Sequence, residues 1–285
     1  MIVVTGATGQ LGRLVVEGLL ETTPAGQIVA AVRNPEKAAD LAARGVQVRE
    51  ADYDRPETLK QAFAAGDRVL LISSDTVGTR LTQHKAVVDA AAEAGVALLA
   101  YTGILHSDTT TVALAAEHKG TEEHISASGV PFSFLRNGWY VENYVSTITQ
   151  AAEQGTFAGA SGEGRVSTAT REEYARAAVA VLTGENHENT VYELAGDVAW
   201  TKAELAAEVA AVTGKPVAYQ DLPRDEYERV LAGAGLPGPV AAMFADIELD
   251  IAGGALAGTT DDLSRLIGRP TTPLRDTVTE VLARA

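Results

Sequence analysis

Three glycines in the spacing Gly6-x-x-Gly9-x-x-Gly12 constrain the fold of this 285-residue chain more than any other feature. They follow the apolar, β-rich run 2–5 and precede apolar residues at helical spacing in segment 14–19, so the sequence predicts a strand, a glycine turn and a helix. Such a turn lets the backbone approach a ligand closely, and the helix N-terminus offers unpaired N–H groups to a diphosphate. The N-terminal segment is therefore predicted to bind a dinucleotide.

Short apolar runs recur along the first half of the chain, with helical patterns between them. Strands that alternate with helices predict a parallel sheet with right-handed crossovers. We therefore expect an α/β fold, a Rossmann-type doubly wound parallel sheet, and assign residues 1–138 to its NAD(P)-binding domain. The predicted strands after the first lie at residues 28–32, 46–48, 69–72, 97–100 and 132–135.

Residues 139–285 have a less regular pattern and are expected to form a smaller, interleaved, substrate-binding α/β lobe. A strand at about 190–195 is predicted to return to the Rossmann sheet. Thr201 and Glu204 resemble a helix cap with its returning carboxylate, so a helix is expected from there to Thr213. Two further helices are expected at about 141–153 and 171–182, with a glycine-rich bend at 162–164 between them.

Composition excludes several classes of function. Apolar residues make up 46% of the chain and charged residues 21%, which is ordinary for a globular protein with a substantial core. Acidic residues outnumber basic ones by 38 to 23, and the resulting charge of −15 repels nucleic acids and anionic membranes. The absence of cysteine excludes disulfides, thiolate metal sites and a cysteine nucleophile. The five histidines lack the spacing of a metal site, so no metal is expected.

The N-terminus runs directly into the glycine motif, so no signal peptide is expected. Charges interrupt the apolar stretches before they reach the roughly 18 residues that a membrane span requires. We therefore expect a cytoplasmic protein. The sequence leaves the oligomeric state open, with a homodimer as one candidate.

The residues after the second strand indicate which dinucleotide is bound. A cofactor without a ribose 2′-phosphate is usually met there by an acidic side chain. This chain has Arg33 instead, whose planar donor fork suits a phosphate, so NADPH is favoured over NADH. Arg13 and Lys37 either add positive charge or are solvated surface residues. The glycine turn adds Thr8, Gln10 and Leu11 to the expected cofactor-binding residues.

Polar residues follow the third and fourth predicted strands. Asp52 is placed to accept from the adenine amino group, whereas the neighbouring Asp54 has the alternative role of a helix N-cap before Pro56. Ser73 and Ser74 fall at the carboxyl edge of the sheet, where ligands bind in this architecture. All but Asp54 are assigned to the cofactor site.

With these residues in hand, the chain resembles the NmrA-like group of atypical short-chain dehydrogenases/reductases, and within it the type 2 NAD(P)H:quinone oxidoreductases. The resemblance extends through both lobes and implies an NADPH-dependent quinone reductase. It is carried by Val3 to Gly12, Val32-Arg33-Asn34-Pro35, His118-Lys119-Gly120-Thr121-Glu122, Leu135 to Tyr144, and Ala169 to Ala175.

The wider superfamily uses a Tyr-x-x-x-Lys pair, in which the Tyr is the general acid and the Lys binds the nicotinamide ribose. Lys119 matches that Lys, but Ala115 occupies the Tyr position; Thr102 matches the superfamily's Ser. The missing acid is compatible with a quinone, because hydride addition yields a hydroquinone anion that is a weaker base than an alkoxide and that water can protonate. Tyr101, Tyr140 and His106 remain alternative donors. We assign Lys119 to catalysis and, with Thr102, to cofactor binding.

The segment after the sixth strand is expected to line the cleft between the lobes. Trp139 and Tyr140 either stack on a planar acceptor or belong to the core, and Asn143 either hydrogen-bonds a quinone oxygen or caps the next helix. These three residues, with Asn137 and Tyr101, are assigned to the acceptor site.

Three functions remain after this reasoning. The first is an NADPH-dependent quinone reductase that transfers hydride directly, without a flavin. The second is a non-catalytic NADP(H)-binding redox sensor that acts through a protein partner. The third is a pathway-specific reductase of an enone or ketone.

Overall fold

A seven-stranded parallel sheet forms the centre of the protein. The computed structural model describes residues 1–76 and 78–284. The sheet strands are β1 (Ile2–Thr5), β2 (Ile28–Val32), β3 (Gln47–Glu50), β4 (Arg68–Leu71), β5 (Leu98–Ile104), β6 (Phe132–Asn137) and β10 (Thr190–Leu194). Their order across the sheet is β10-β6-β5-β4-β1-β2-β3, and the predicted Rossmann-type fold is confirmed.

Helices cover both faces of this sheet and build much of the second lobe. In chain order they are α1 (Gln10–Thr22), α2 (Ala39–Ala43), α3 (Pro56–Ala62), α4 (Arg80–Ala94), α5 (Ala115–Ser128), α6 (Val145–Gln154), α7 (Arg171–Thr183), α8 (Lys202–Thr213), α9 (Arg224–Gly233), α10 (Gly238–Ala252), α11 (Asp262–Ile267) and α12 (Leu274–Arg284).

The two faces of the sheet pack against different helices because successive side chains of a strand point to opposite sides. On β5, Leu98 and Ala100 face the core formed with α1 and α7, whereas Leu99 and Tyr101 face the core formed with α4 and α5. Both cores are apolar and almost solvent-free. The central strands are therefore continuous apolar runs in the sequence, and this is why they could be predicted from it.

The smaller lobe has its own core, centred on Ile148, Phe157, Leu205 and Ile251. The lobes interleave, because α7 packs on α1 and β10 pairs with β6. Five short strands complete the lobe: β7 (Trp139–Tyr140), β8 (Thr156–Gly159), β9 (Arg165–Ala169), β11 (Ala199–Thr201) and β12 (Ala218–Asp221).

Details of several elements differ from the sequence-based expectations. The helix expected at 141–153 opens with a 3₁₀ turn at Val141–Tyr144 and becomes α-helical only at Val145. Strand β5 continues four residues further than expected, to Ile104. The expected helix after Thr201 is present, with the full capping box to Glu204. Within residues 1–76 and 78–284, no helix is long and apolar enough to cross a membrane.

Candidate functional site

The glycine turn joins β1 to α1 in the geometry that a dinucleotide diphosphate requires. Gly6 has φ +58°, in the left-handed region that favours glycine. A Cβ on Gly12 would lie 2.8 Å from the Gly6 carbonyl carbon and 2.9 Å from the Ala7 Cα, so only glycine lets α1 pack this closely on the turn. Gly9 is the N-cap of α1 and provides no side-chain cap. The first N–H groups of α1 are thus available to an anion.

Residues around this turn fit the same ligand. Thr8 and Gln10 are exposed at the mouth of the turn, while Leu11 is buried against the core. Because α1 spans 13 residues, its dipole adds a partial positive charge at Gly9. The fit to the diphosphate of NADPH is therefore good.

Arg33 lies exposed immediately beyond the end of β2. Its neighbour Asn34 accepts the Glu36 backbone N–H at 2.9 Å, and this bond fixes the turn after the strand. Arg13, in contrast, forms salt bridges with Asp40 and Glu17. Arg33 is therefore the better placed of the two for a ribose 2′-phosphate.

Asp52 stabilises the turn that follows β3. Its carboxylate accepts the Asp54 backbone N–H at 3.1 Å and the Arg55 Nε at 3.2 Å, and its side chain is 15% exposed. The alternative of Asp54 as a helix N-cap is wrong, because Arg55 occupies that position and Asp54 accepts from Gln83 Nε2 instead.

Ser73, Ser74 and Thr102 meet at the carboxyl ends of β4 and β5. The Ser73 N–H donates to Thr102 Oγ1 at 2.9 Å, which ties the two strand ends together. Ser74 Oγ is buried and has no hydrogen-bond partner in the described part of the chain. A buried hydroxyl without a partner at the ligand-binding edge is what a bound polar ligand would satisfy.

Beneath Ser74 lies a buried polar network that the sequence analysis did not predict. The Ser74 N–H donates to His84 Nε2 at 3.0 Å, so neutral His84 carries its proton on Nδ1 and donates it to Thr121 Oγ1 at 3.0 Å. His118 Nδ1 lies 2.7 Å from the Tyr101 hydroxyl. Burial, followed by neighbouring charges, lowers the pKa of each histidine to about 3.

The structure places Tyr101 away from the expected acceptor site. Its side chain is fully buried in the layer between the sheet and α4 and α5, and burial raises the pKa of its hydroxyl. The reason is strand alternation: Thr102 faces Ser73, so its neighbour Tyr101 must face the opposite side of the sheet. His106 is partly exposed in the loop after β5 and lies 3.4 Å from Glu193.

Lys119 is exposed on α5, one turn after Ala115. Ala115 is buried beside Ile104 and Val112, so no acid occupies the position one turn before the lysine. Lys119 forms no salt bridge with any residue within 1–76 and 78–284. Its ammonium is available to a ligand at this face of the helix.

The predicted acceptor residues after β6 divide into two groups. Asn137 Nδ2 donates to the Tyr140 hydroxyl at 3.2 Å, and Tyr140 packs edge-on against Tyr174, whereas Asn137 Oδ1 is buried without a partner in the described chain. Trp139 and Asn143 instead line a cavity of about 70 Å³ in the smaller lobe. Asn143 is exposed and is not the N-cap of α6.

No group of three or more His, Asp or Glu residues gathers into a metal-binding cluster within the described residues.

A family model, the NmrA-like family, matches residues 1–252. The chain belongs to the NmrA-like family. This NmrA-like protein is 48% identical over 281 residues to quinone oxidoreductase 2 of Escherichia coli (strain K12), covering 99% of this chain and 98% of the relative. The resemblance inferred from the sequence is confirmed.

Two solved structures are also similar to this NmrA-like protein. The Escherichia coli NADPH-dependent quinone oxidoreductase QOR2, complexed with NADPH, superposes with a TM-score of 0.96 at 48% identity, covering 99% of this chain and all of that one. The triphenylmethane reductase of Citrobacter sp., complexed with NADP(H), superposes with a TM-score of 0.95 at 43% identity and the same coverage.

Proposed function

We propose that this NmrA-like protein is an NADPH-dependent quinone oxidoreductase that transfers hydride directly to a quinone. The observation that carries the proposal is its similarity, at 48% identity and over nearly its whole length, to a quinone oxidoreductase whose structure contains NADPH. The glycine turn, the uncapped start of α1 and Arg33 supply the corresponding cradle in this chain.

NADPH, when bound, supplies the hydride. The chain's residues hold and orient the reactants: α1 receives the diphosphate, Arg33 the 2′-phosphate, and Lys119 the nicotinamide ribose. We infer that the cofactor-binding residues are Gly6, Thr8, Gly9, Gln10, Leu11, Gly12, Arg33, Asp52, Ser73, Ser74, Thr102 and Lys119.

Ala115 offers no proton at the position of the missing acid. A hydroquinone anion is stabilised by its aromatic ring and can take its proton from water, so a quinone is reduced without a general acid. A ketone would yield a strongly basic alkoxide, for which a positioned acid contributes roughly 10²–10⁴-fold. This difference supports a quinone over an ordinary ketone. A cytoplasmic location and a homodimer remain predictions.

The test is steady-state NADPH oxidation with benzoquinones, naphthoquinones, an enone, an azo dye and a triphenylmethane dye. We expect quinone turnover, and we expect Lys119→Ala to lower kcat/KM at least tenfold because a positioned charge at the cofactor is lost. Lys215→Ala, an exposed lysine in the turn after α8, is the matched control. Tight NADPH binding without turnover of any acceptor would contradict an enzymatic function and favour the redox sensor. Turnover with the enone alone would favour the pathway-specific reductase of an enone or ketone.

A further inference from the structure

The cavity in the smaller lobe contains a buried ion pair that the proposed chemistry does not use. Four aromatic residues line it, namely Trp139, Tyr144, Tyr227 and Phe244. Asn143 and Thr147 add uncharged polar groups, and Lys202 and Glu248 supply the charged part of the lining, although only 4% and 6% of these last two residues are exposed. The Lys202–Glu248 pair is thus buried from solvent but borders the cavity.

The protein backbone is shaped around this ion pair. Lys202 Nζ contacts Glu248 Oε2, which also accepts the Ala160 backbone N–H at 3.0 Å. A Cβ on Gly159 would lie 2.6 Å from Nζ and 3.0 Å from Oε2, so any larger residue there would push the ends of these two side chains out of their present positions. The glycine thus leaves room for the ion pair beside the strand.

Stability does not account for such an arrangement. Lys202 is the first residue of α8, where the helix dipole disfavours a cation. Removing two charges from water costs free energy that an apolar pair of similar size would not. Burial lowers the pKa of Lys202, and the attraction of Glu248, followed by that of Asp221, opposes this change. The chain therefore retains a costly ammonium beside a cavity.

That ammonium has hydrogen-bonding capacity left over. A lysine ammonium has three N–H donors, and within the described residues Glu248 is its one polar partner. The centre of the Tyr227 ring lies 5.7 Å from Nζ, which is a cation–π contact and not a hydrogen bond. Two donors are thus available to an oxygen atom placed in the cavity.

The cavity is too small for a whole ligand. Its volume of about 70 Å³ is well below the 300–1,000 Å³ of typical small-molecule sites. A space of this size holds one edge of a planar ring, so the rest of the ring would lie outside it. Trp139 connects the cavity to the sheet edge along the chain, because it lines the cavity and lies two residues after Asn137, the last residue of β6.

We propose that this cavity binds one carbonyl oxygen of the quinone, with Lys202 as its hydrogen-bond donor and the aromatic walls around the ring edge. The inference rests on the proposed function, which it deepens by naming the subsite of the acceptor. Lys202 fixes the end of the quinone remote from the cofactor, and Glu248 holds the ammonium in position. Because the pair is neutral overall, a neutral carbonyl fits better than an anionic group.

The experiment uses Lys202→Met combined with Glu248→Gln. This double variant removes the donor without leaving a buried charge, and the glutamine oxygen can still accept from Ala160. We expect the KM and the calorimetric Kd for 1,4-naphthoquinone, the latter measured on the NADP⁺-loaded protein, to rise about tenfold to a hundredfold because a charge-assisted hydrogen bond is lost. The Kd for NADPH and the melting temperature should change little.

Lys60→Met with Glu93→Gln is the matched control, since this pair is joined at 2.7 Å and both side chains are more than half exposed. Unchanged naphthoquinone KM and Kd in the Lys202/Glu248 variant would overturn the subsite. If that variant does not fold, Thr147→Leu fills the cavity from α6 without touching the pair, and an unchanged KM there has the same meaning.

The two proposals can fail separately. A wild-type protein that reduces no quinone contradicts the proposed function. Calorimetry still tests the subsite in that case, and a wild-type protein that binds no naphthoquinone overturns it. The chain contains no cysteine, so the quinone cannot be consumed by thiol addition during either measurement.

Discussion

At the scale of single residues, the glycine turn offers a direct test of the cofactor cradle. Gly12→Ala would place a Cβ 2.8 Å from the Gly6 carbonyl carbon, and neither backbone segment can yield without moving the turn away from α1. We expect the NADPH Kd, measured by fluorescence, to rise at least tenfold. Gly26→Ala is the control, because no atom lies within 4 Å of its added Cβ. Equal affinities in the two variants would contradict the cradle.

The proposed role of Arg33 predicts that this residue determines the preference for NADPH over NADH. Arg33→Asp replaces the donor fork beyond β2 with a carboxylate that repels a 2′-phosphate and can accept from a ribose hydroxyl. The NADPH Kd should rise by about two orders of magnitude, whereas the NADH Kd should change by less than about threefold. Arg229→Asp makes the same charge change on a side chain that is 75% exposed on α9. Parallel losses for both cofactors would show that Arg33 does not contact the phosphate.

At the level of residues, the sequence predicts positions that backbone geometry dictates better than positions that depend on tertiary contacts. The glycine turn and Ser73 lie where the sequence places them relative to the strands, whereas Thr102 lies inside β5 and not after it; the cofactor-binding roles of these residues stay predictions. Tyr101 was misplaced, since one residue of strand register decides which face a side chain occupies. The burial of Lys202 could not be predicted from the sequence. A lysine at the start of a helix is normally exposed to solvent, and the burial of this one depends on its ion pair with Glu248, which is distant in sequence.

At the scale of elements, α7 connects the two lobes and its N-terminus is closed by a complete capping box. Thr170 Oγ1 accepts the Glu173 N–H at 3.1 Å, and Glu173 Oε2 accepts the Thr170 N–H at 2.9 Å. Thr170→Ala should lower the free energy of unfolding by about 1 kcal/mol while leaving NADPH affinity unchanged. Urea denaturation measures the first quantity. Thr279→Ala, whose exposed hydroxyl only bonds back within α12, should cost less.

Element prediction depended on how strongly each element is patterned. Central strands of the large sheet such as β2 are buried on both faces and therefore appear as apolar runs, but β12 is largely exposed and its segment Ala218–Asp221 has no such run. The helices α9 to α12 were not predicted. None of the residues of α9 is buried, so this helix shows no apolar face from which its position could be inferred.

At the scale of the whole molecule, a strongly acidic protein has a site for an anionic cofactor. The net charge of −15 opposes NADPH at long range. The proposed site therefore predicts that binding depends on short-range groups, and we expect these to be the N–H groups of α1 and the exposed cations Arg33 and Lys119. Interleaving through α7 and β10 attaches the smaller lobe to the large sheet.

The buried histidines make global stability depend on pH. Burial, followed by nearby charges, lowers the pKa of His84 and His118 to about 3, whereas an unfolded histidine has a pKa of about 6.5. Below pH 6.5 the unfolded chain therefore takes up protons that the native state cannot, and the free energy of unfolding falls as the pH decreases towards 3. Each histidine contributes a slope of up to about 1.4 kcal/mol per pH unit.

His84→Gln isolates one of these contributions. A glutamine can accept the Ser74 N–H and donate to Thr121 as His84 does, but it does not titrate. We expect the free energy of unfolding, measured by urea denaturation from about pH 8 to pH 5, to fall less steeply with decreasing pH in the variant than in the wild type. The difference between the two slopes should approach the contribution of one bound proton at the acidic end and disappear near pH 8. An identical decline in both would mean that His84 is protonated in the folded protein near neutral pH, and the hydrogen bond from the Ser74 N–H could not then persist in that state.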